Sequence, residues 1–560
     1  MKIWKVREPD LFLQKTLSEA LNISTVTAQL LANRGITSPT LARQFLACSL
    51  DSCHDPFLFK DMEKAVGRIR KAISKGEKIL VYGDYDVDGI TAVALLYSSL
   101  RYSGGHVEYY IPNRIEEGYG LNLSAINEAK KRKVSLIVTV DCGITSYREI
   151  EFANNSKIDV IVTDHHKILN NKLPEAYAII NPLQDGCEYP YKHLAGVGIA
   201  YKLAKALLDG GPVTAEDFLD LISLGTVADI VPQVGENRIL TRHGLERLSR
   251  SSRVGLQALI NISGLNGKDI SYGHVGFILG PRINAMGRIG SPEVALKLLL
   301  TEDETEANEL ASVLNTENRN RQKIESAILQ EALEKVEAEV DFDRHPVIVL
   351  ASEEWHPGVI GIVASRLIER FHRPTILISI DEKVGRGSGR SIDGFHLFDG
   401  LLKCREFLLG FGGHEAACGL TIEKNRIDGF REAINAIAQD ILKEKDFVPV
   451  ITIDADIPLS LLKEKVLYEI EGLSPFGPSN PRPVLSSRNL RVKDTPRLFG
   501  KNGFKFFVTD KTVTCEAVAF GREKLDMPKA GQHVELAYTP SLNTWQGLPS
   551  IQLELKDIRY

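Results

Sequence analysis

Three apolar runs constrain this chain more than any other feature: KILVYG, SLIVTV and DVIVT, each followed at once by a polar tip, GDYDVDG, DCG and TDHH. Unbroken runs rich in Val, Ile and Leu fit strands buried on both faces. The helical segments between them, TAVALLYSSLRYSG and SAINEAKKRK, imply that the strands run parallel. The polar tips then fall at the carboxyl ends of adjacent strands, where open α/β sheets build their sites.

The remainder is modular. At about 150 residues per domain, a chain of 560 residues predicts three to four folded units. Residues 1–75 read as short helices with polar breaks, a lead-in without chemistry, and residues 76–302 as the parallel-sheet domain, which ends in a loop-like GPRINAMGRIGSP. Residues 303–340 lack proline and glycine and keep helical spacing, with Ala307, Leu310, Ala311 and Leu314 at one end and Ile324, Ala327, Ile328 and Val336 at the other. Apolar ends around the polar NTENRNRQK suit a helix that connects two domains, though a plain surface helix has the same period. A second, smaller α/β unit spans 341–447 with the glycine-rich clusters GRGSGRS and GFGGHEAACG. Residues 448–560 hold five or six short strands, which fits an OB-like β-barrel.

Composition narrows the class. With 43% hydrophobic and 25% charged residues the chain is neither disordered nor fibrous. No run approaches the roughly 18 apolar residues of a membrane span, and MKIWKVREPD lacks the pattern of a signal peptide, so a cytoplasmic protein is expected. Seven scattered cysteines favour reduced thiols, and Cys48, Cys53 and His54 lack the second pair a zinc site needs. A net charge of −5 excludes a globally basic nucleic-acid coat and leaves room for a local basic groove.

GDYDVDG carries Asp84, Asp86 and Asp88 on alternate residues, which in extended backbone places three carboxylates on one side. Like charges that close are unfavourable unless cations lie among them, and hard oxygen ligands suit magnesium or manganese. An Asp-Gly turn is the plainer reading of the heptapeptide alone. Asp141, and Asp164 with His165 and His166, end two further strands, while Asp229 lies in the apolar GTVADIVP, where an unpaired carboxylate is costly. Taken singly, Asp229 also fits a helix cap and His166 a satisfied core histidine.

GDYDVDG, TVDCG, VTDHH, GTVADIVP, GPRINAMGRIG, WHPGVIGIVASRL, GSGRS and GFGGHEAACGL, in this order, resemble the DHH phosphoesterase superfamily, and within it the bacterial single-stranded-DNA exonucleases, over about residues 60 to 560. The resemblance implies a DHH catalytic domain, a DHHA1-like second domain and an OB-fold. It implies a centre of two Mn2+ or Mg2+ ions: Asp84 and Asp86 on one, Asp88, His165 and Asp229 on the other, Asp141 bridging them. His166 then faces the scissile phosphate, with Asp164 orienting the imidazoles. Arg282 and Asn284 reach the substrate, Ser388 and Arg390 grip a terminal 5′ phosphate, and Gly412, Gly413 and His414 contact phosphate.

The activity that the resemblance implies is that of a 5′→3′ exonuclease releasing mononucleotides from single-stranded DNA in recombination and repair, with single-strand-binding protein among its associates. Lys505, Phe506, Phe507 and Trp545 are candidates for a base-stacking surface on the barrel, against a bland reading as core phenylalanines and a surface lysine. Arg319 and Arg321 in the long helix either touch the strand or form a solvated face. Two other functions stay open on the sequence: the same chemistry on a short nucleotide or pyrophosphate, and a strand-binding subunit without activity.

Overall fold

The computed structural model describes residues 2–114, 117–118, 120–208, 211–500, 503–521, 525–543 and 550–560. The predicted parallel sheet is present. Strands β1 (Lys78–Gly83), β2 (His106–Tyr110), β3 (Val134–Val140), β4 (Asp159–Thr163) and β5 (Ala178–Ile180) lie in the order β2-β1-β3-β4-β5, all parallel. Ile79, Val81, Leu136, Val138 and Ile161 face one core and Leu80, Tyr82, Ile137, Val160 and Val162 the opposite one, which is why these runs are apolar at every position.

Register decides where the tips fall. Gly83 pairs with Val140 and Val140 with Thr163, so β1, β3 and β4 end level, and Asp84, Asp141 and Asp164 each follow one residue later. Strand order reverses between β1 and β3, the position at which such sheets open a crevice. Helices Val87–Tyr102, Gly196–Leu207 and Leu219–Ala228 share the core on the first face.

Two expectations change here. GDYDVDG does not stay extended: Asp86 caps the helix Val87–Tyr102, its side chain accepting from Gly89 N–H, so Asp88 points from the first helical turn and not from a strand. GPRINAMGRI is the helix Gly280–Ile289 and not a loop; it continues a π-helical turn, Val275–Leu279, and Pro281 directly follows that turn, where the helical hydrogen-bond ladder is already irregular.

The first helices are more than a lead-in. Leu17, Val26, Leu30, Leu31 and Ala42 share one hydrophobic core with the C-terminal strands, while Met62, Ala65 and Ile69 of the helix Met62–Ser74 belong to the core beneath the parallel sheet. The C-terminal sheet contains β11 (Ala455–Asp456), β12 (Leu485–Val492), β13 (Arg497–Phe499), β14 (Gly503–Thr509), β15 (Thr514–Phe520), β16 (His533–Asn543) and β17 (Ser550–Arg559), ordered β11-β12-β16-β17-β15-β14-β13. A further β12–β14 pairing closes it into a barrel, as expected.

In the second α/β unit, strands β6 (Ile348–Ser352), β7 (Thr375–Asp381), β8 (Val384–Arg390), β9 (Leu408–Gly413) and β10 (Ala417–Glu423) are ordered β9-β10-β8-β7-β6, parallel only between β6 and β7. The long helix is continuous from Glu304 to Glu339. Its Ala307, Ala311 and Leu314 are buried in the core of the parallel-sheet domain, and its Ile328, Ala332 and Val336 in the core of the second unit. Arg321 is not on a solvated face: it is buried and held by Glu325 at 2.7 Å and by Asn318.

Candidate metal centre

The site forms where β1, β3 and β4 end. His165 Nε2 lies 3.1 Å from Asp141 Oδ1, 3.7 Å from Asp229 Oδ2 and 4.0 Å from Asp88 Oδ2. Three groups of side chains bring one donor atom each within 4.8 Å of one another: Asp84, Asp86 and Asp141; Asp88, His165 and Asp229; and Asp141, His165 and His166. Asp141 thus belongs to both a carboxylate triad and an imidazole triad, and it adopts a left-handed backbone, φ 59°, that turns it away from the strand direction.

Electrostatics tests whether divalent ions fit. Burial, then the charge of Asp86, pushes the Asp88 carboxyl up to about 7. Burial and neighbouring carboxylates raise Asp84, Asp141 and Asp229 well above the usual aspartate range. Asp84 Oδ1 and Asp229 Oδ2 are buried without a hydrogen-bond donor among the described residues. Burial, then the neighbouring His166, lowers the His165 imidazole to about 4, so it is neutral at physiological pH and able to donate a lone pair. Converging carboxylates short of donors beside a neutral imidazole are the donor set of a divalent cation site, so these residues fit the ions.

His166 is held differently. Asp164, fully buried, accepts from the His166 backbone N–H at 3.0 Å and lies 2.7 Å from His166 Nδ1, while its other oxygen accepts from Ile144 N–H at 2.9 Å. Burial works to lower the His166 pKa; the hydrogen bond and charge of Asp164 outweigh it and raise the group overall. Two adjacent histidines therefore have opposite electrostatic settings.

The substrate candidates divide. Asn284 Oδ1 accepts from Val87 N–H at 3.3 Å, so this oxygen is turned to the helix that carries Asp88. Arg282 Nη1 donates to Ile278 O of its own helical turn at 2.6 Å. Gly287, from the same motif, lies so close to Tyr85 that a Cβ would sit 2.6 Å from its carbonyl oxygen. In the second unit, Ser388 and Arg390 are joined on β8 by Arg390 Nη1 to Ser388 Oγ at 3.2 Å. Gly412 pairs with Gly419 on β10, Gly413 takes φ 135°, and His414 N–H bonds Ala417 O at 2.8 Å.

On the barrel, Phe506 is core, Phe507 is 42% exposed, and Lys505 pairs with Glu516 at 2.8 Å; Trp545 lies outside the described residues. Two features escape the motif reading. Arg114 stacks over the Tyr85 ring at 5.2 Å and is close enough to Asp84 to act on its charge. The backbone amides of Gly196 and Val197 hold both Asp88 oxygens. Backbone donors leave no residue-type signature in a sequence.

A parallel sheet with carboxylates and an imidazole gathered at its switch point defines an α/β enzyme built to hold divalent cations. The DHH family N-terminal domain matches residues 78–226, the DHHA1 domain 344–440 and the RecJ OB domain 453–557. The single-stranded-DNA-specific exonuclease RecJ of Bacillus subtilis is 41% identical over 560 residues, covering 99% of this chain and 70% of its own. The crystal structure of Thermus thermophilus RecJ in complex with Mn2+ superposes with a TM-score of 0.86 at 30% identity, covering 100% of this chain and 79% of that one, and its Mg2+ complex with 0.79 at 29% identity, covering 100% and 78%. The chain belongs to the RecJ family of single-stranded-DNA-specific exonucleases.

Proposed function

We propose that the chain hydrolyses single-stranded DNA from its 5′ end to mononucleotides, in recombination and repair within the cytoplasm. The observation that carries this is the convergence of Asp84, Asp86, Asp88, Asp141, His165 and Asp229 donor atoms in a chain of this family. Asp84 and Asp86 would hold one Mn2+ or Mg2+, Asp88, His165 and Asp229 the second, with Asp141 shared. Bound there, the ions supply Lewis acidity and make a water nucleophilic near neutral pH. The residues do the rest. Neutral His165 and the carboxylates orient the ligand sphere. His166, fixed through Nδ1 by Asp164, presents its other nitrogen as a donor to an anionic phosphoryl oxygen, where a raised pKa favours the charged imidazolium.

Work is divided among a catalytic domain at 76–302, the helix at 303–340, a DHHA1-like domain at 341–447 and a nucleic-acid-binding barrel at 448–560. Arg282 contacts the strand from the catalytic domain, and Asn284 acts by bracing the Val87 amide. Ser388 and Arg390 grip the terminal phosphate, and Gly412 and Gly413 give it close approach to the chain beside the His414 imidazole, which donates to a phosphate oxygen. Single-strand-binding protein is the expected associate.

The test is one assay on 5′-labelled single-stranded and blunt duplex DNA, with Mn2+ or with chelator. Early release of labelled mononucleotide from the single strand alone, lost in chelator, is expected. Equal attack on the duplex, metal-independent turnover, or late release of the label overturns the reading.

A further inference from the structure

The segment His193–Val197 carries none of the motifs that singled out the site, yet it touches three of the six donor side chains. Gly196 N–H donates to Asp88 Oδ2 at 2.7 Å and Val197 N–H to Asp88 Oδ1 at 2.8 Å. These amides open the helix Gly196–Leu207, whose N-cap, Ala195, has no side-chain oxygen to satisfy them. Asp88 supplies that oxygen from a different helix, in whose first turn it also lies, so its carboxylate faces the positive ends of two helices. Each oxygen accepts one amide and keeps a lone pair for another partner.

The same turn reaches the other two. The Leu194 backbone carbonyl lies near enough to His165 to favour a proton on its ring, while Nε2 is the atom directed at Asp141 and Asp229. A Cβ on Gly196 would stand 2.6 Å from Asp141 Oδ1 and 2.7 Å from its Cγ, too close for any side chain. Glycine at 196 is therefore what lets the Asp141 carboxylate occupy its place.

We infer that the Leu194–Val197 turn is the positioning element of the metal centre: two amides set the Asp88 carboxylate, and the bare Cα of Gly196 makes room for Asp141 beside His165. This rests on the reading that these three side chains hold the ions. It assigns Gly196 a role through its ligand neighbours, with no contact to substrate.

The experiment compares Gly196→Ala with Gly198→Ala, two residues along the same helix, where a Cβ would meet only the Leu194 side chain, at 3.2 Å or more. Both changes favour helix equally. Mn2+ affinity of the purified full chains is measured from the electron paramagnetic resonance of free Mn2+, with circular dichroism establishing that each variant is folded. Gly196→Ala is expected to bind Mn2+ about 10–100-fold more weakly than the wild type, the range for losing a ligand-orienting group, and Gly198→Ala to match the wild type. A folded Gly196→Ala with wild-type Mn2+ affinity overturns the inference, as does equal weakening in both variants. If Gly196→Ala does not fold, Val197→Pro decides: it deletes one amide donor in the first helical turn without adding an atom towards Asp141, and wild-type Mn2+ affinity there overturns the inference. Failure of the wild type to take up Mn2+ would instead remove the underlying reading of the site.

Discussion

Asp164 holds His166 twice, by the backbone N–H at 3.0 Å and by ring Nδ1 at 2.7 Å, and it does so from a fully buried position. The pair fixes both where the ring stands and which nitrogen faces outward. Replacing Asp164 by Asn keeps the shape and removes the charge. Burial is then opposed only by the smaller effects of the Asp84 and Asp86 charges, so the His166 pKa falls and the imidazolium is present only at more acid pH. The alkaline limb of the pH–rate profile is expected to move to lower pH in Asp164→Asn, with turnover at neutral pH reduced by about 10²–10³-fold, the span typical of losing one charge-stabilising donor. An unmoved profile would show that the charged form of His166 is not what acts on the phosphate.

The carboxylates give a second pH prediction, of opposite sign to the usual one for aspartates. Burial and Asp86 raise Asp88 to about 7, and Asp84, Asp141 and Asp229 move the same way, from unfolded values of about 3.9. Between these limits the folded chain binds more protons than the unfolded one, so in chelator stability falls as pH rises from about 4 to about 7. Divalent ions offset that repulsion where the carboxylates are ionised. The rise in melting temperature on adding Mn2+ is therefore expected to be larger at pH 8 than at pH 5; a gain independent of pH would mean the ions bind elsewhere.

Much of this site was legible because each strand tip is contiguous in sequence with its strand and the register of β1, β3 and β4 is level. Asp84, Asp141 and Asp164 could be placed at one crevice edge from the sequence, since buried parallel strands that share a direction end on the same side of their sheet. The geometry of Asp88 was not legible, because the helix begins at Val87 and Asp86 serves as its cap. Nor was the helical state of Gly280–Ile289, where two glycines and a proline read locally as a loop and packing against Tyr85 decides otherwise. The backbone donors of Gly196 and Val197 belong to no residue type, so no motif could announce them.

On the barrel, Phe506 and Phe507 are adjacent in β14 and point to opposite faces, one 1% and the other 42% exposed. Their truncations should therefore separate. Phe506→Ala is expected to destabilise the chain by about 3–5 kcal/mol, as for a buried aromatic. Phe507→Ala is expected to leave the melting temperature unchanged and weaken binding of single-stranded DNA by about 1–3 kcal/mol, the worth of a base stacked on an aromatic ring. Fluorescence anisotropy on a labelled oligonucleotide reads the second effect, and unchanged affinity in Phe507→Ala would place the strand on another face.

Arg238 gives the last prediction. Its guanidinium is buried and donates to four backbone carbonyls, Phe45, Gly472, Leu473 and Ser474, while stacking on the Phe45 ring at 3.8 Å. It therefore ties the helix Gly235–Leu248 of the catalytic region to an N-terminal helix and to the segment leading into the barrel. Burial lowers its pKa to about 10, which leaves it charged at physiological pH. Arg238→Met keeps the apolar stem and leaves the Phe45, Gly472 and Ser474 carbonyls short of a donor, while Leu473 O keeps Asn480 Nδ2 at 3.0 Å; each unsatisfied group costs about 1–3 kcal/mol less whatever water restores. The helix Gly235–Leu248 also packs on the helix that ends at Asp229. Loss of the tie should thus lower the melting temperature and open residues 45–48 to protease first, with Mn2+ affinity falling less than in Gly196→Ala. Wild-type proteolysis of Arg238→Met would show that the apolar contacts of Leu17, Val26 and Leu31 suffice to hold the N-terminal helices to the barrel.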